Sequence, residues 1–467
     1  MEKEIRVRLV PKSRDGESIV HDLRDMTPSI AKRYKPDPGR ASEAFNASVK
    51  LGLKTQMTNF NSLSTILSVE NIKTVFGADI IEIKKKPTGR TYKSTDRYLS
   101  VKQALKVPAE MKDTIAYAYI PTPPEFLGMD FIPPNASVYH LRLMGVLRAL
   151  KGSLCHRNSW MGHNVRVAMA DTGFANHPFF TSQGYTMERV STSLTSNPMV
   201  DAVGHGTGEC ANILVVAPDC HFIGIKHDDY SAVALETSLA QNPKVLVNSW
   251  CWDVDYLSME ELRVQYPNYF NELRDVETII SDAIDDGVVV IFSAGNGHRA
   301  FPACMPDVIA AGGVTAWGDG RLEASSYASS FRSQLYPGRE VPDVCGIVGE
   351  YSERKHLRGH IMLPVPSGSE LEGDNLSDAQ SDKGWGIFSG TSASAPQIAG
   401  IAALMLSINT NLTNEQIKSI LTATATDVTE GASALGDHAS IGFDLATGAG
   451  LVNAIEACHM AERMLDT

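Results

Sequence analysis

The 467-residue chain has no apolar stretch long enough to cross a bilayer, and its start, Met1-Glu2-Lys3-Glu4-Ile5-Arg6-Val7-Arg8, lacks the apolar core of a secretory signal. Those two absences predict no membrane partner and a cytoplasmic location. Seven cysteines, Cys155, Cys210, Cys220, Cys251, Cys304, Cys345 and Cys458, are odd in number and scattered. They form neither a metal-ligand spacing nor a disulfide framework, which favours a reducing compartment. There is no internal repeat and no low-complexity tract. Basic residues occur in no aromatic-interleaved run, and Lys84-Lys85-Lys86 reads as a solvated strand end, so no nucleic-acid partner is expected. Acidic pairs such as Asp228-Asp229 and Asp285-Asp286 read as surface charge and not as ligand sets, which leaves a metal site and structural calcium unassigned.

What is present divides the chain in two. Residues 1–150 carry 24 Lys+Arg against 16 Asp+Glu, whereas the remainder carries 18 against 38, within a net charge of -12. Segments of opposite sign attract at long range, and the length leaves room for a small N-terminal domain, residues 1–135, ahead of a larger one, residues 136–467. The first reads as α+β: strands over 4–10, 78–84 and 113–120, a helix over 69–76, then breaks at Pro121-Thr122-Pro123-Pro124 and Pro133-Pro134 before a helical stretch from Tyr139 to Leu150. The second alternates apolar strands with helical patterns. That pattern predicts an α/β fold with a mainly parallel sheet flanked by helices, its functional residues emerging at the carboxyl ends of strands.

Three short segments carry chemistry. Asp171 ends the buried strand Val165-Arg166-Val167-Ala168-Met169-Ala170 and is followed by Thr172-Gly173; His205 lies in Gly204-His205-Gly206-Thr207; Ser392 lies in Gly390-Thr391-Ser392-Ala393-Ser394-Ala395-Pro396, at the start of an apolar helical run. A serine hydroxyl is a weak nucleophile at neutral pH, so a histidine must take its proton during attack on a carbonyl and return it to the leaving amine. A carboxylate then holds the imidazole in the right tautomer and stabilises its charged form. A fourth segment, Gly287-Val288-Val289-Val290-Ile291-Phe292-Ser293-Ala294-Gly295-Asn296-Gly297, is a β-branched strand that ends in a glycine-bounded asparagine. The Asn296 amide and the Ser392 backbone N–H, at a helix N-terminus, make a pair of donors suited to an oxyanion.

With the order Asp, His, Ser and the intervening asparagine, the chain resembles the subtilisin-like serine proteases from about Gly162 to about Ala457. Further similar segments are Leu214-Val215-Val216-Ala217-Pro218, Phe222-Ile223-Gly224-Ile225-Lys226, Asp307 to Gly313, Pro396 to Met405, Leu412 to Lys418 and Thr447 to Ala454. The resemblance implies a serine endopeptidase that forms an acyl-enzyme on Ser392, needs no cofactor for catalysis and acts on protein or peptide substrates. It implies substrate contacts from Ser249, Trp250, Cys251 and Gly295, with Val247-Asn248-Ser249-Trp250-Cys251 as the edge strand. It also implies a prodomain-like or regulatory N-terminal module docked intramolecularly, with the stretch from Tyr117 to Pro134 lying in the cleft.

Departures accompany the match. Gly208-Glu209-Cys210 stands where the family places a second histidine and a small apolar run, and Cys251 where glycine is common. A long polar connection bearing Glu370, Glu372, Asp374, Asp378 and Asp382 joins Asp343 to Trp385. The acidic Trp252-Asp253-Val254-Asp255 beside the cleft predicts a preference for basic residues near the cleaved bond. Two other functions use the same residues: a peptide-maturation protease or transpeptidase that passes the acyl group to an amine, and a peptide-binding pseudoprotease.

Overall fold

A computed structural model describes residues 4–58, 60–84, 97–126, 140–227, 230–317, 319–349, 360–372 and 384–465. Its centre is an eight-stranded sheet. In spatial order it runs Met187–Ser191, His221–Lys226, Arg166–Asp171, Val245–Asn248, Val289–Ser293 and Ile309–Ala316, all parallel, with Val344–Val348 parallel and Leu322–Ala324 antiparallel to the last. Both faces are covered, which is why these strands read as continuous apolar runs: Val245–Asn248, Val289–Ser293 and Ile309–Ala316 are buried throughout.

Side chains alternate between two cores with the period of a strand. Val167, Met169, Val245, Val247, Val289 and Ile291 pack on one face, against the helices His205–Val216 and Thr391–Ile408. Ala168, Ala170, Leu246, Val290 and Phe292 pack on the other, against Pro267–Asp285. The strand earliest in sequence, Arg166–Asp171, lies beside Val245–Asn248 because the chain first winds towards one edge and then returns to build the other. The carboxyl ends of these two neighbours flank the switch point, where doubly wound sheets open a crevice.

Several expectations need revision. The helix Thr391–Ile408 is long and apolar enough to cross a membrane by length and composition, contrary to the sequence reading; its apolarity instead serves the core, where Thr391 to Leu406 are buried. The expected edge strand 247–251 is broken at Ser249: Val245–Asn248 belongs to the central sheet, and Trp250–Asp253 pairs elsewhere, with Ala300–Phe301 and Glu125–Phe126. The polar connection from Asp343 to Trp385 is not one loop, for it contains the strands Val344–Val348 and His360–Pro364. Asp374, Asp378 and Asp382 lie outside the described residues, as do Lys85, Lys86, Asp228, Asp229, Pro133, Pro134 and Tyr139. After Tyr139 a short strand, His140–Arg142, precedes the helix Leu143–Ala149.

The N-terminal residues form their own antiparallel sheet, in the order Lys54–Met57, Leu63–Ser68, Glu4–Pro11 and Ile115–Tyr119. Val7, Leu9, Leu63, Ile72 and Phe76 are part of its separate core. Ile80–Lys84 is a strand but pairs with Arg97–Val101 outside this sheet. Sequence reading missed the helices Pro28–Tyr34 and Pro38–Lys50, although Thr27-Pro28 and Asp37-Pro38 are start signals in which the first side chain caps and proline occupies the first turn.

Charged side chains from this sheet meet the Pro267–Asp285 helix in buried surroundings. Arg8 bonds Asp275 through Nε at 2.6 Å and Glu236 through Nη2 at 2.5 Å, and the Tyr119 hydroxyl donates to Asp275 at 2.7 Å. Asn268 brackets Ile120, accepting from its N–H at 2.8 Å and donating to its carbonyl at 2.9 Å. Arg8→Met would leave two buried carboxylates without their cation, a change that costs roughly 3–5 kcal/mol. Denaturant unfolding of the variant in a Ser392→Ala background, where self-digestion cannot intervene, measures it; a loss within experimental error of zero would refute the pairing.

Candidate active site

Asp171 is the last residue of its strand and fully buried, and the His205 helix begins directly beneath it. The two are joined by His205 Nδ1, 2.8 Å from Asp171 Oδ1 and 3.0 Å from Oδ2. Close approach of the helix requires glycine at the next position: a Cβ on Gly206 would stand 2.4 Å from the Gly173 carbonyl oxygen and 2.9 Å from the Asp171 Cβ.

A carboxylate that sequence reading passed over organises this start. Asp201 accepts from the Gly204 N–H at 2.8 Å, the Thr207 N–H at 3.0 Å, the Thr207 hydroxyl at 2.7 Å and the Thr172 hydroxyl at 2.8 Å. It thereby satisfies amides that the first helical turn leaves open and ties them to the strand end. Its signal was an acidic residue shortly ahead of Gly-His-Gly-Thr, the position from which a side chain reaches the first-turn N–H groups.

Ser392 sits in the first turn of its helix, and Pro396 explains its setting. Proline has no N–H, so the carbonyl four residues earlier, that of Ser392, loses its helical donor. The Ser249 hydroxyl supplies one at 2.9 Å, while the Ser392 hydroxyl lies 3.3 Å from the Ser249 carbonyl oxygen. Serine and strand end are thus reciprocally bonded across the switch point.

Asn296 follows the strand Val289–Ser293, and its amide oxygen accepts from the Thr391 N–H at 2.9 Å and the Thr391 hydroxyl at 3.1 Å. That fixes the amide with its NH2 group as the remaining donor end. Gly295 donates to the Thr391 hydroxyl at 3.1 Å, and its φ of 110° and the nearby Ser329 hydroxyl leave no room for a side chain. Of the residues expected to touch substrate, Trp250 and Cys251 turn their side chains into the core. Trp250 donates to the Ala170 carbonyl at 3.0 Å and both are fully buried, so only their backbone edge faces outward for pairing.

The acidic stretch beyond is already engaged. Asp255 is buried and accepts from the Gln334 and Leu335 amides, and Asp253 accepts from the Arg299 N–H at 2.8 Å. Both carboxylates therefore already hold backbone amides of neighbouring segments.

A profile of the subtilase family matches residues 162–443. This chain belongs to the subtilase family. Subtilisin amylosacchariticus of Bacillus subtilis subsp. amylosacchariticus is 25% identical over 288 residues, covering 59% of this subtilase and 64% of the relative. Subtilisin of Bacillus pumilus is 24% identical over 288 residues, covering 59% of this chain and 89% of its own. The match thus spans just under two thirds of the first relative's length. Among solved structures, fervidolysin from Fervidobacterium pennivorans, described as a keratinolytic enzyme related to subtilisin, superposes with a TM-score of 0.55 at 16% identity, over 98% of this chain and 61% of that one. That likeness establishes the subtilisin-like fold.

Electrostatics around the subtilase site are set by burial and by neighbouring charges together. For His205 burial works against the charged imidazolium, but Asp171, its hydrogen bond and Glu209 outweigh it and push the ring up to about 9. Burial raises Glu209 to about 8, opposed by His205 and the bond from Asn212. On the Pro267–Asp285 helix, burial likewise raises Glu272 to about 8, against bonds from Thr122, and Glu277 to about 7, against Arg274.

All four groups bind protons more tightly folded than unfolded, so each contributes stability at low pH that is lost as pH rises towards its folded value. Unfolding free energy should therefore fall between about pH 5, just above the usual carboxyl value of 4.5, and about pH 9. Denaturant titrations of Ser392→Ala across that range test this; stability that rises with pH would contradict it.

Proposed function

We propose that the chain is a serine endopeptidase in which Ser392 attacks the substrate carbonyl, His205 moves the proton and Asp171 holds the imidazole. The observation that carries this reading is the fully buried Asp171–His205 pair at the switch point, beside a helix-start serine bonded to the adjoining strand end. The proton leaves the Ser392 hydroxyl for Nε2 as the Oγ–carbon bond forms. It then passes to the amine as the C–N bond breaks, leaving an acyl-enzyme that water hydrolyses by the same steps in reverse. Asn296 and the Ser392 N–H receive the charge that develops on the carbonyl oxygen.

Ser392→Ala and His205→Ala should each abolish peptide hydrolysis to a similar residual level, because nucleophile and base act as one unit. Asn296→Ala should lower turnover by roughly 100- to 1000-fold, the range for a single oxyanion donor in subtilisin. Turnover of a peptide library, with the products checked by mass for the gain of one water, supplies the measurement. A Ser392→Ala protein with more than a few per cent of wild-type activity would end this assignment.

We further propose that residues 1–135 act as a prodomain-like module docked on the catalytic part. Glu125–Phe126 supports it: Phe126 pairs antiparallel with Trp250 and Glu125 with Cys251, on the strand that continues from Ser249. This is strand addition, in which backbone bonds give affinity and the chain direction sets which bond approaches the nucleophile. The opposite charge of the two halves and the Arg8–Glu236–Asp275 cluster supply the rest of the attachment. On this reading Ser392 cuts its own chain shortly after Phe126. Wild type should mature to a fragment that starts between about residue 127 and residue 135, while Ser392→Ala stays at full length. Intact mass and N-terminal sequencing decide between this and a module that remains attached.

A further inference from the structure

His205 has a second carboxyl within reach. Glu209, one turn further along the same helix, places Oε1 3.9 Å from His205 Nε2, the ring nitrogen opposite the one that meets Asp171. Both side chains are essentially inaccessible to solvent. Glu209 Oε1 is buried without a hydrogen-bond partner among the described residues, whereas Oε2 accepts from Asn212 at 2.8 Å. Asn212 is held in turn by Gln397, whose amide donates to Asn212 Oδ1 at 3.3 Å and to the Ile347 carbonyl at 2.8 Å and accepts from the Ile347 N–H at 2.8 Å. Gln397 lies on the Ser392 helix. A polar chain therefore runs from that helix to the face of the base, and its last atom, an unpartnered carboxyl oxygen, is one that burial makes costly to leave idle.

We propose that Glu209 is a positioning residue of the triad: its carboxyl shares one proton with Nε2 of His205 and so sets the pH at which that nitrogen is free to receive the proton of Ser392. The inference rests on His205 being the base. Three forms differ only in protons: neutral acid with imidazolium, one shared proton, and carboxylate with neutral imidazole. Where the shared proton sits on Nε2, the carboxylate neutralises the ring's charge and the lone pair is occupied. Only loss of that proton frees the base, so the acid limb of the rate profile lies alkaline of where Asp171 and His205 alone would put it.

The charged groups around the ring are consistent with this assignment. Asp171 from the sheet, Asp201 from the loop ahead of the helix and Glu209 all favour the imidazolium. Cys210, with Arg189 near it, is the other ionisable group of the helix close by. The packed elements Thr391–Ile408 and Trp385–Phe388 carry no charged residue, Arg148 of Leu143–Ala149 is exposed, and Lys226 of His221–Lys226 is bonded to the Val200 carbonyl at 2.7 Å. The departure from the family pattern at Gly208-Glu209 is also structural: a Cβ at Gly208 would come 2.5 Å from the Phe388 ring, which lies against His205.

The test compares kcat/KM against pH for wild type, Glu209→Gln and Glu209→Asp. Glu209→Gln keeps the shape and an acceptor for Asn212 but removes the ionisable proton. Its acid-limb midpoint should move down by roughly one pH unit or more, with Glu209→Asp in between. An unmoved midpoint in an active Glu209→Gln enzyme overturns the proposal while leaving the peptidase reading intact; an inactive wild type would count against the peptidase reading instead. A second measurement needs no activity and no Glu209 variant. In full-length Ser392→Ala, carbon-13 NMR should show the Glu209 carboxyl and the His205 ring titrating together in the same two steps. A carboxyl that ionises alone in the ordinary acid range overturns the proposal as well.

Discussion

A charged hydrogen bond between Asp171 and His205, with neither side chain in contact with water, is the constraint on which the rest of the structure depends. Ion pairs of this kind cost several kcal/mol per ion in desolvation and survive only where the geometry is fixed and the remaining polar atoms are satisfied. The strand that ends at Asp171, the glycine that lets the helix approach and the Asp201 clamp on its first turn are three means of fixing it. Thr172 joins them, donating its N–H to Asp171 at 2.7 Å and its hydroxyl to Asp201 at 2.8 Å.

Ser392 is held by a different device with the same result. Pro396 inside the Ser392 helix removes one backbone bond, and the opening it creates is filled from Ser249, so the sheet and the helix are locked together at the switch point. Asn296 is oriented from the same first turn, through Thr391. Ser392, Asn296 and Ser249 therefore share one anchoring residue pair, Thr391 and Ser392, and a small shift of that turn would disturb all three at once. Precision of this order is what effective proximity between reacting groups demands.

The N-terminal sheet adds a second set of buried charges, remote in sequence from the first. Arg8, Glu236 and Asp275 join one cation to two carboxylates without solvent, and Glu272 accepts from the Thr122 N–H beside them. Such groups give directionality more than raw affinity, because only one arrangement pairs every charge. Glu272, which burial raises to about 8, also connects the contact with this segment to pH, since it ionises as the surroundings become alkaline.

Much of this was legible in the chain itself. The apolar runs ending in Asp171 and Asn296 and the glycine-framed His205 and Ser392 are local signals, and a parallel sheet buried on both faces writes itself as continuous apolar strands. The break at Ser249 was not legible, because the runs on both sides, Val245–Asn248 and Trp250–Asp253, are each mostly apolar and only pairing partners distinguish a central strand from an edge. The burial of Thr391–Ile408 was equally silent, since a core helix and a membrane helix have the same composition. Asp201 was passed over, and Glu209 was noted only as a departure from the family pattern, for a further reason: each is an ordinary acidic residue in sequence and becomes exceptional only when folding removes water and brings a partner within reach.

Sequence by itself determined which residue types would be available at strand ends and helix starts, since propensity, glycine placement and apolar period act over a few residues. Tertiary structure decided which of them meet, which carboxyls lose their solvent and which backbone edge stays open, because those depend on distances between segments tens to hundreds of residues apart.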